Sequence, residues 1–371
     1  MDDRNHLQHQ TSSIQHPISP VCYALAVDSR AIIAAPLLAA ASTVALHLLA
    51  LRRFPRWGLL DFPERYGLKR ARLPYPAGII TLLVAVAFFL ALEGVQQRSV
   101  GVAAALILLG ATAFIDDRRP LPALLRLVMQ VVCAGIIVAS GDCVGGRICS
   151  LTNPLEGWVG GPILELNGSL PLLGIAVTAL WLLLTTNMLN WSDGVPGQMH
   201  AVACLAFAIT GALAMSARVE QPDIALLAFT FAGIAFGALL FDFPPPRVIA
   251  GDTGAMTLGL LLGILTVYAG GKVATAFLAL GVPLVDGMIV TLQRLQQGRN
   301  PFHGSIAGEH LHHRLLARGW SPRQVILLTV GTGALFGTTA LFLSTTGKVI
   351  AAIALTLVVL LLRFLSRRPN P

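Results

Sequence analysis

The chain is built from uncharged or nearly uncharged apolar runs of roughly 20 residues, the length at which a helix crosses about 30 Å of hydrocarbon. Eleven such runs occur, near 31–51, 77–95, 99–115, 122–140, 169–189, 200–218, 224–242, 253–271, 273–293, 323–346 and 348–366. A helix satisfies its backbone hydrogen bonds internally, whereas the strands of a membrane barrel alternate over about ten residues. The expected fold is therefore an all-α polytopic membrane protein with eleven transmembrane helices. Only Gly270-Gly271-Lys272 divides the eighth run from the ninth. Charged residues make up 12% of the chain, half of the roughly 25% usual in a soluble domain.

The distribution of charge orients the bundle. Net charge is +8, but the basic residues flank the apolar runs rather than forming arms interleaved with aromatics. They fit membrane headgroups, and nucleic acid is not expected as a partner. With the N-terminus outside, nineteen of the Lys and Arg residues fall on the inner side, seven of them in 52–76, and seven fall outside. The positive-inside bias then makes the C-terminus cytoplasmic. Residues 1–30 lack the basic start and short apolar core of a signal peptide and read as a disordered extracytoplasmic tail. Residues 31–366 form one transmembrane domain, and 367–371 a cytoplasmic tail.

This orientation gathers five polar stretches on the cytoplasmic face: the basic loop 52–76, Asp116-Asp117, Asn187 to Asp193, Asp242 to Asp252, and the His-rich loop 294–322. Adjacent acids such as Asp116 and Asp117 repel one another near a bilayer unless a cation compensates. They fit either a helix end neutralised by Arg118 and Arg119 or a Mg²⁺ and phosphate site. Asn187, Asn190 and Asp193 recur every third residue and share one helix face, followed by Gly194 and Gly197. That face suits a base or ribose, or a plain polar helix end. In GDTGA, Asp252 reads equally as an N-cap and as a metal ligand beside a helix N-terminus that favours anions. His310, His312, His313 and Arg314 lack the spacing of a helical zinc pair, so phosphate binding or proton transfer fits them better. Asp286 lies mid-run and needs a partner inside the bundle, as glue or as support for a site. Among the five cysteines, none forms a CxxC pair, and Cys143 and Cys149 share an outer loop where a disulfide is permitted.

Taken together, DDRR at Asp116, NxxNxxDG at Asn187, GDTGA at Gly251 and HLHHRL at His310 resemble the polyprenyl-phosphate N-acetylhexosamine-1-phosphate transferases, over about Leu60 to Ser321. This is glycosyltransferase family 4. The resemblance implies a multi-pass enzyme of the plasma membrane with a cytoplasmic active site. It implies transfer of a sugar 1-phosphate, N-acetylglucosamine 1-phosphate in the branch that HLHHRLLARG most resembles, from a UDP-sugar to polyprenyl phosphate. UMP leaves, and the reaction initiates a cell-envelope glycan. It further implies Mg²⁺, with Mn²⁺ as substitute, and leaves room for a homodimer. By motif, Asp116, Asp117 and Asp252 would be catalytic, with Asp117 and Asp252 at the metal. Asn187, Asn190, Asp193, Gly194, Lys69, His310, His312, His313 and Arg314 would meet the nucleotide and sugar.

Four departures stand out against that pattern. DGVPG places Pro196 where the family has a second acid, and Asp242 replaces an Asn. Ala307-Gly308-Glu309 replaces an acidic-basic pair in a longer loop, and Ala77-Gly78 replaces Gly-Gly. The competing expectations are a phospho-MurNAc-pentapeptide transferase, and a transporter or non-catalytic scaffold. A transporter would place its charged site at the midplane of repeated halves, and here the acids cluster at one surface, Asp286 apart, in a chain without internal repeat.

Overall fold

The structure is a computed structural model that describes residues 28–66, 70–141, 143, 146–153, 161, 163–166, 172–270, 272–300 and 308–366. Its helices are α1 (Ser29–Arg53), α2 (Gly78–Glu93), α3 (Gln97–Arg118), α4 (Ala123–Ser140), α5 (Leu172–Ser192), α6 (Gln198–Met215) and α7 (Pro222–Asp242). Then come α8 (Asp252–Tyr268), α9 (Val273–Leu280), α10 (Val282–Gln296), α11 (Leu311–Ala317), α12 (Pro322–Thr339) and α13 (Thr345–Leu365). Each of the eleven apolar runs overlaps at least one of these helices. Seven helices are long and apolar enough to cross a membrane, or eight if the bent pair α9 and α10 is one crossing. Two more, α2 and α8, are apolar but shorter.

The run at 273–293 is not the single straight helix expected of it. It breaks between α9 and α10 with a bend of 92°. Gly281 sits there at φ +55°, and Pro283 follows in the first turn of α10. Proline is tolerated in a first turn but removes the donor a continuous helix would need. The second difference lies in the loop 294–322, where residues 311–317 form the short helix α11.

Helix α8 is the axis of the bundle. Every residue from Thr253 to Tyr268 is buried, as befits a helix apolar on all sides. It packs against α2, α3, α5, α6 and α7. Small residues permit this crowding. A Cβ on Gly78 of α2 would lie 2.1 Å from the Gly254 nitrogen, and one on Gly259 would lie 2.7 Å from the Thr185 carbonyl oxygen of α5. Trp181 of α5 donates its indole N–H to Thr266 at 2.6 Å. Helices α1 and α13 flank the bundle and leave Leu37, Ile350 and Leu357 exposed, as lipid-facing surfaces do.

At the far end from the polar motifs, Arg98 pairs with Glu93 at 2.8 Å. Cys143 and Cys149 form a disulfide, and β1 (Ser150–Thr152) pairs antiparallel with β2 (Ile163–Glu165). Residues 1–27, 367–371 and Lys69 lie outside the described residues.

Candidate active site

The acid end is assembled by two loops that pair with each other. Tyr75 N–H bonds the Leu59 carbonyl at 3.0 Å, Ile249 N–H bonds that of Pro74 at 3.0 Å, and Ala77 N–H bonds that of Ile249 at 2.8 Å. This backbone network holds Tyr75 over the point where the end of α3 meets the start of α8.

Asp117, at the end of α3, is the hub. Its Oδ1 accepts the Tyr75 hydroxyl at 2.8 Å and the Asp252 N–H at 2.8 Å. Its Oδ2 accepts the Thr253 N–H at 3.0 Å and the Thr253 hydroxyl at 2.6 Å. The first N–H groups of a helix have no partner inside it and favour a carboxylate. Asp117 therefore caps α8 from a different helix. The N-cap expectation for Asp252 is corrected accordingly: Gly251 occupies the cap, and Asp252 is the first helical residue. Gly251 has φ +76°, and a Cβ there would lie 2.7 Å from Asp117 Oδ2. The local sequence thus needs glycine next to the acid.

Because Asp117 supplies the cap, the Asp252 side chain is free to face outward. Arg126, in the first turn of α4, bridges it to Asp116: Nη1 lies 3.4 Å from Asp252 Oδ2 and 3.0 Å from Asp116 Oδ2. Asp116 Oδ1 accepts the Leu121 N–H at 2.5 Å, which closes the turn between α3 and α4. A cleft of about 430 Å³ opens beside these groups, lined by Asp61, Arg70, Tyr75, Asp117, Arg118 and Gly251 among others.

Asn187 and Asn190 project from the last turns of α5. The Asn187 amide exchanges hydrogen bonds with Gln130 of α4 at 2.7 and 3.3 Å. The Asn190 carbonyl accepts the Asp193 N–H at 3.1 Å. Burial pushes the Asp193 carboxyl well above the usual range, and the like charges of Asp242, Asp252 and Asp117 push it the same way. These four acids thus share one electrostatic neighbourhood, as the common face of the motifs requires.

Gly194 joins the acids to the histidines. A Cβ on Gly194 would lie 2.2 Å from His312 Nε2, so the turn after α5 rests on that imidazole. His312 and His313 have ring centroids 4.2 Å apart, and His310 stacks on His312 at 5.5 Å. His310 Nδ1 lies 2.9 Å from Asp286 Oδ2, which also accepts the Leu311 N–H at 3.0 Å. Arg363 of α13 contacts the other oxygen of Asp286. Asp286 is therefore both glue and support: it caps α11, orients His310 and ties down the last helix. Burial, with His313 and His310 nearby, pushes His312 down to about 3. Arg314 Nε donates to the Gly308 carbonyl at 2.9 Å. Glu309 pairs with Arg294 at 2.5 Å and with Arg299 at 2.8 Å.

The structure thus brings Asp116, Asp117, Asp252, Asn187, Asn190, Asp193 and Gly194 to one end of the bundle, with the histidines against Gly194. Tyr75, Gln130, Arg126 and Thr253 were not expected at the site. Arg126 carried a signal, since a cation ten residues past an acid pair faces it once the chain turns at Pro120-Leu121-Pro122. The other three carried none. Among the described residues no group of three or more His, Cys, Asp and Glu side chains has metal-holding geometry.

Acids, amides and histidines thus converge on one end of a helical bundle, and comparison with known proteins gives this end its meaning. The profile of glycosyl transferase family 4 matches residues 99–270. A Mycobacterium leprae decaprenyl-phosphate N-acetylglucosaminephosphotransferase is 30% identical over 285 residues, 69% of each chain. A Bacillus subtilis protein, named a probable undecaprenyl-phosphate N-acetylglucosaminyl 1-phosphate transferase, is 26% identical over 298 residues, 77% of each chain. A Moorella thermoacetica phospho-N-acetylmuramoyl-pentapeptide-transferase is 30% identical over 203 residues, 54% of this chain and 59% of its own. The chain belongs to glycosyl transferase family 4 and is an enzyme of the phosphotransferase kind.

Proposed function

We propose that the enzyme transfers N-acetylglucosamine 1-phosphate from its UDP-sugar to polyprenyl phosphate. An oxygen of the lipid phosphate attacks the β-phosphorus and forms a new P–O bond. The bond from that phosphorus to the bridging pyrophosphate oxygen breaks, and UMP leaves with the electron pair. The observation that carries this reading is Asp117 capping α8, which turns the Asp252 carboxylate out beside Asp116 and Arg126. The names of the relatives support both the sugar and the polyprenyl acceptor.

The chain's own residues divide the work. Arg126 holds Asp116 and Asp252 at a fixed separation. Asp116 positions the lipid phosphate, and the cleft beside Tyr75 and Arg70 admits it. Asn187, Asn190 and Asp193 face the nucleotide, and His310, His312, His313 and Arg314 the sugar and pyrophosphate. From the sequence alone, Lys69 is a further proposed contact to the nucleotide or sugar.

The donor set fits Mg²⁺ or Mn²⁺. It consists of the hard carboxylate oxygens of Asp252 and Asp117, and one or two carboxylates beside substrate phosphates are what such an ion takes. Asp252 would be the principal ligand, and Asp117 would join it by giving up part of its cap. A divalent ion there supplies charge neutralisation of the pyrophosphate.

We further propose eleven crossings with the N-terminus outside, so that this end is cytoplasmic, in the plasma membrane. Purified enzyme given undecaprenyl phosphate and either UDP-N-acetylglucosamine or UDP-MurNAc-pentapeptide tests the donor. The reading expects lipid product from the first and falls if only the second is used.

A further inference from the structure

Two buried side chains behind the site are used by none of the steps above. Asp242 ends α7 and His200 lies in the first turn of α6, each 2% exposed. Asp242 Oδ2 accepts the His200 Nδ1–H at 2.8 Å and the Gly197 N–H at 3.0 Å. Gly197 stands at φ +81°, and a Cβ there would lie 3.0 Å from the Phe243 Cα. The turn 193–197 is thus anchored at both ends, on His312 at Gly194 and on Asp242 at Gly197. Pro196, within that turn, has no N–H with which to tie it down. Around the carboxylate stand His200 from α6, His47 from α1, whose ring stacks on Phe241 at 5.1 Å, and Asp193 from the turn.

We infer that His200 and Asp242 are a positioning pair that sets where Asp193 meets the nucleotide half of the donor. A buried carboxylate needs a matched donor, and His200 is that donor. With His200 removed, the anion keeps only the Gly197 N–H and draws the turn toward other donors. With an amide at 242, one oxygen still accepts Gly197 N–H and no charge is left buried. The pair therefore has a distinctive arithmetic: the damage from losing His200 is repaired by neutralising Asp242. This inference rests on the donor assignment above.

The test measures KM for UDP-N-acetylglucosamine, KM for polyprenyl phosphate and kcat in wild type, His200→Ala and the double variant His200→Ala/Asp242→Asn, with thermal stability in detergent alongside. Expected is a rise of about tenfold or more in the nucleotide KM for His200→Ala, an unchanged lipid KM, and recovery to within about threefold of wild type in the double variant. An unchanged nucleotide KM in folded His200→Ala overturns the inference, as does a double variant no better than the single. Should His200→Ala fail to fold, a double variant that folds and binds nucleotide normally supports the pair, and one that also fails overturns it. A wild type inactive with every UDP-sugar instead defeats the donor assignment.

Discussion

Asp117 and Asp252 lie on different helices, yet the Asp252 N–H donates to Asp117 Oδ1 at 2.8 Å. One acid is thereby committed to holding a helix end, and the other is left to pair with Arg126 beside Asp116. Asp117→Asn should separate these roles. An amide offers one acceptor oxygen where the carboxylate offers two, so part of the Thr253 and Tyr75 network is lost. A lost cap costs about 1 kcal/mol, a modest fall in thermal stability. Activity should fall at least about 100-fold, because charge stabilisation in such transfers is worth several kcal/mol. Near-wild-type turnover would show that the cap is the whole function of Asp117.

Gly194→Ala tests the seam between acids and histidines. The added methyl would stand 2.2 Å from His312 Nε2, so the ring or the turn must move. The expected result is about a tenfold or greater loss of kcat/KM with the bundle intact by circular dichroism. Unchanged kinetics would mean that the turn does not depend on this contact.

Asp286→Ala should be the most destabilising single change at this end. It leaves His310, Arg363 and the Leu311 N–H without their shared carboxylate, and breaking a buried pair costs about 3–5 kcal/mol. Detergent melting curves should show it, and a melting temperature within error of wild type would contradict it.

Much of this could be read from the chain before its structure. Periodic apolar runs located the helices because membrane crossing imposes length. The one exception, 273–293, hides its break in Gly281 and Pro283, which bend a helix only through their local φ and missing N–H. The convergence of the candidate site was legible as a set of acids at run ends, since buried acids need a reason. Partners distant in sequence were not: Tyr75 to Asp117, Gln130 to Asn187 and Arg363 to Asp286 are products of packing. Asp252 was legible as a polar helix start, but which residue capped it depended on α3.

Acid should weaken the fold through His312. Burial lowers its pKa from 6.5 to about 3, so the folded state holds the neutral ring while the unfolded chain takes up a proton. This contribution to stability is present above the unfolded value and is lost as pH falls from about 6.5 toward 3. A melting series over that interval should slope downward on acidification. His312→Gln should flatten the slope; an equally steep series in that variant would remove His312 from the account.

The central claim concerns which bond is broken, and the β-phosphorus reports it directly. Enzyme is incubated with undecaprenyl phosphate and UDP-N-acetylglucosamine carrying ³²P at the β position, and the lipid and nucleotide fractions are separated. Sugar 1-phosphate transfer sends the label into the lipid and leaves unlabelled UMP, and Asp252→Asn should abolish both. Label retained in UDP, with sugar alone on the lipid, would contradict the account.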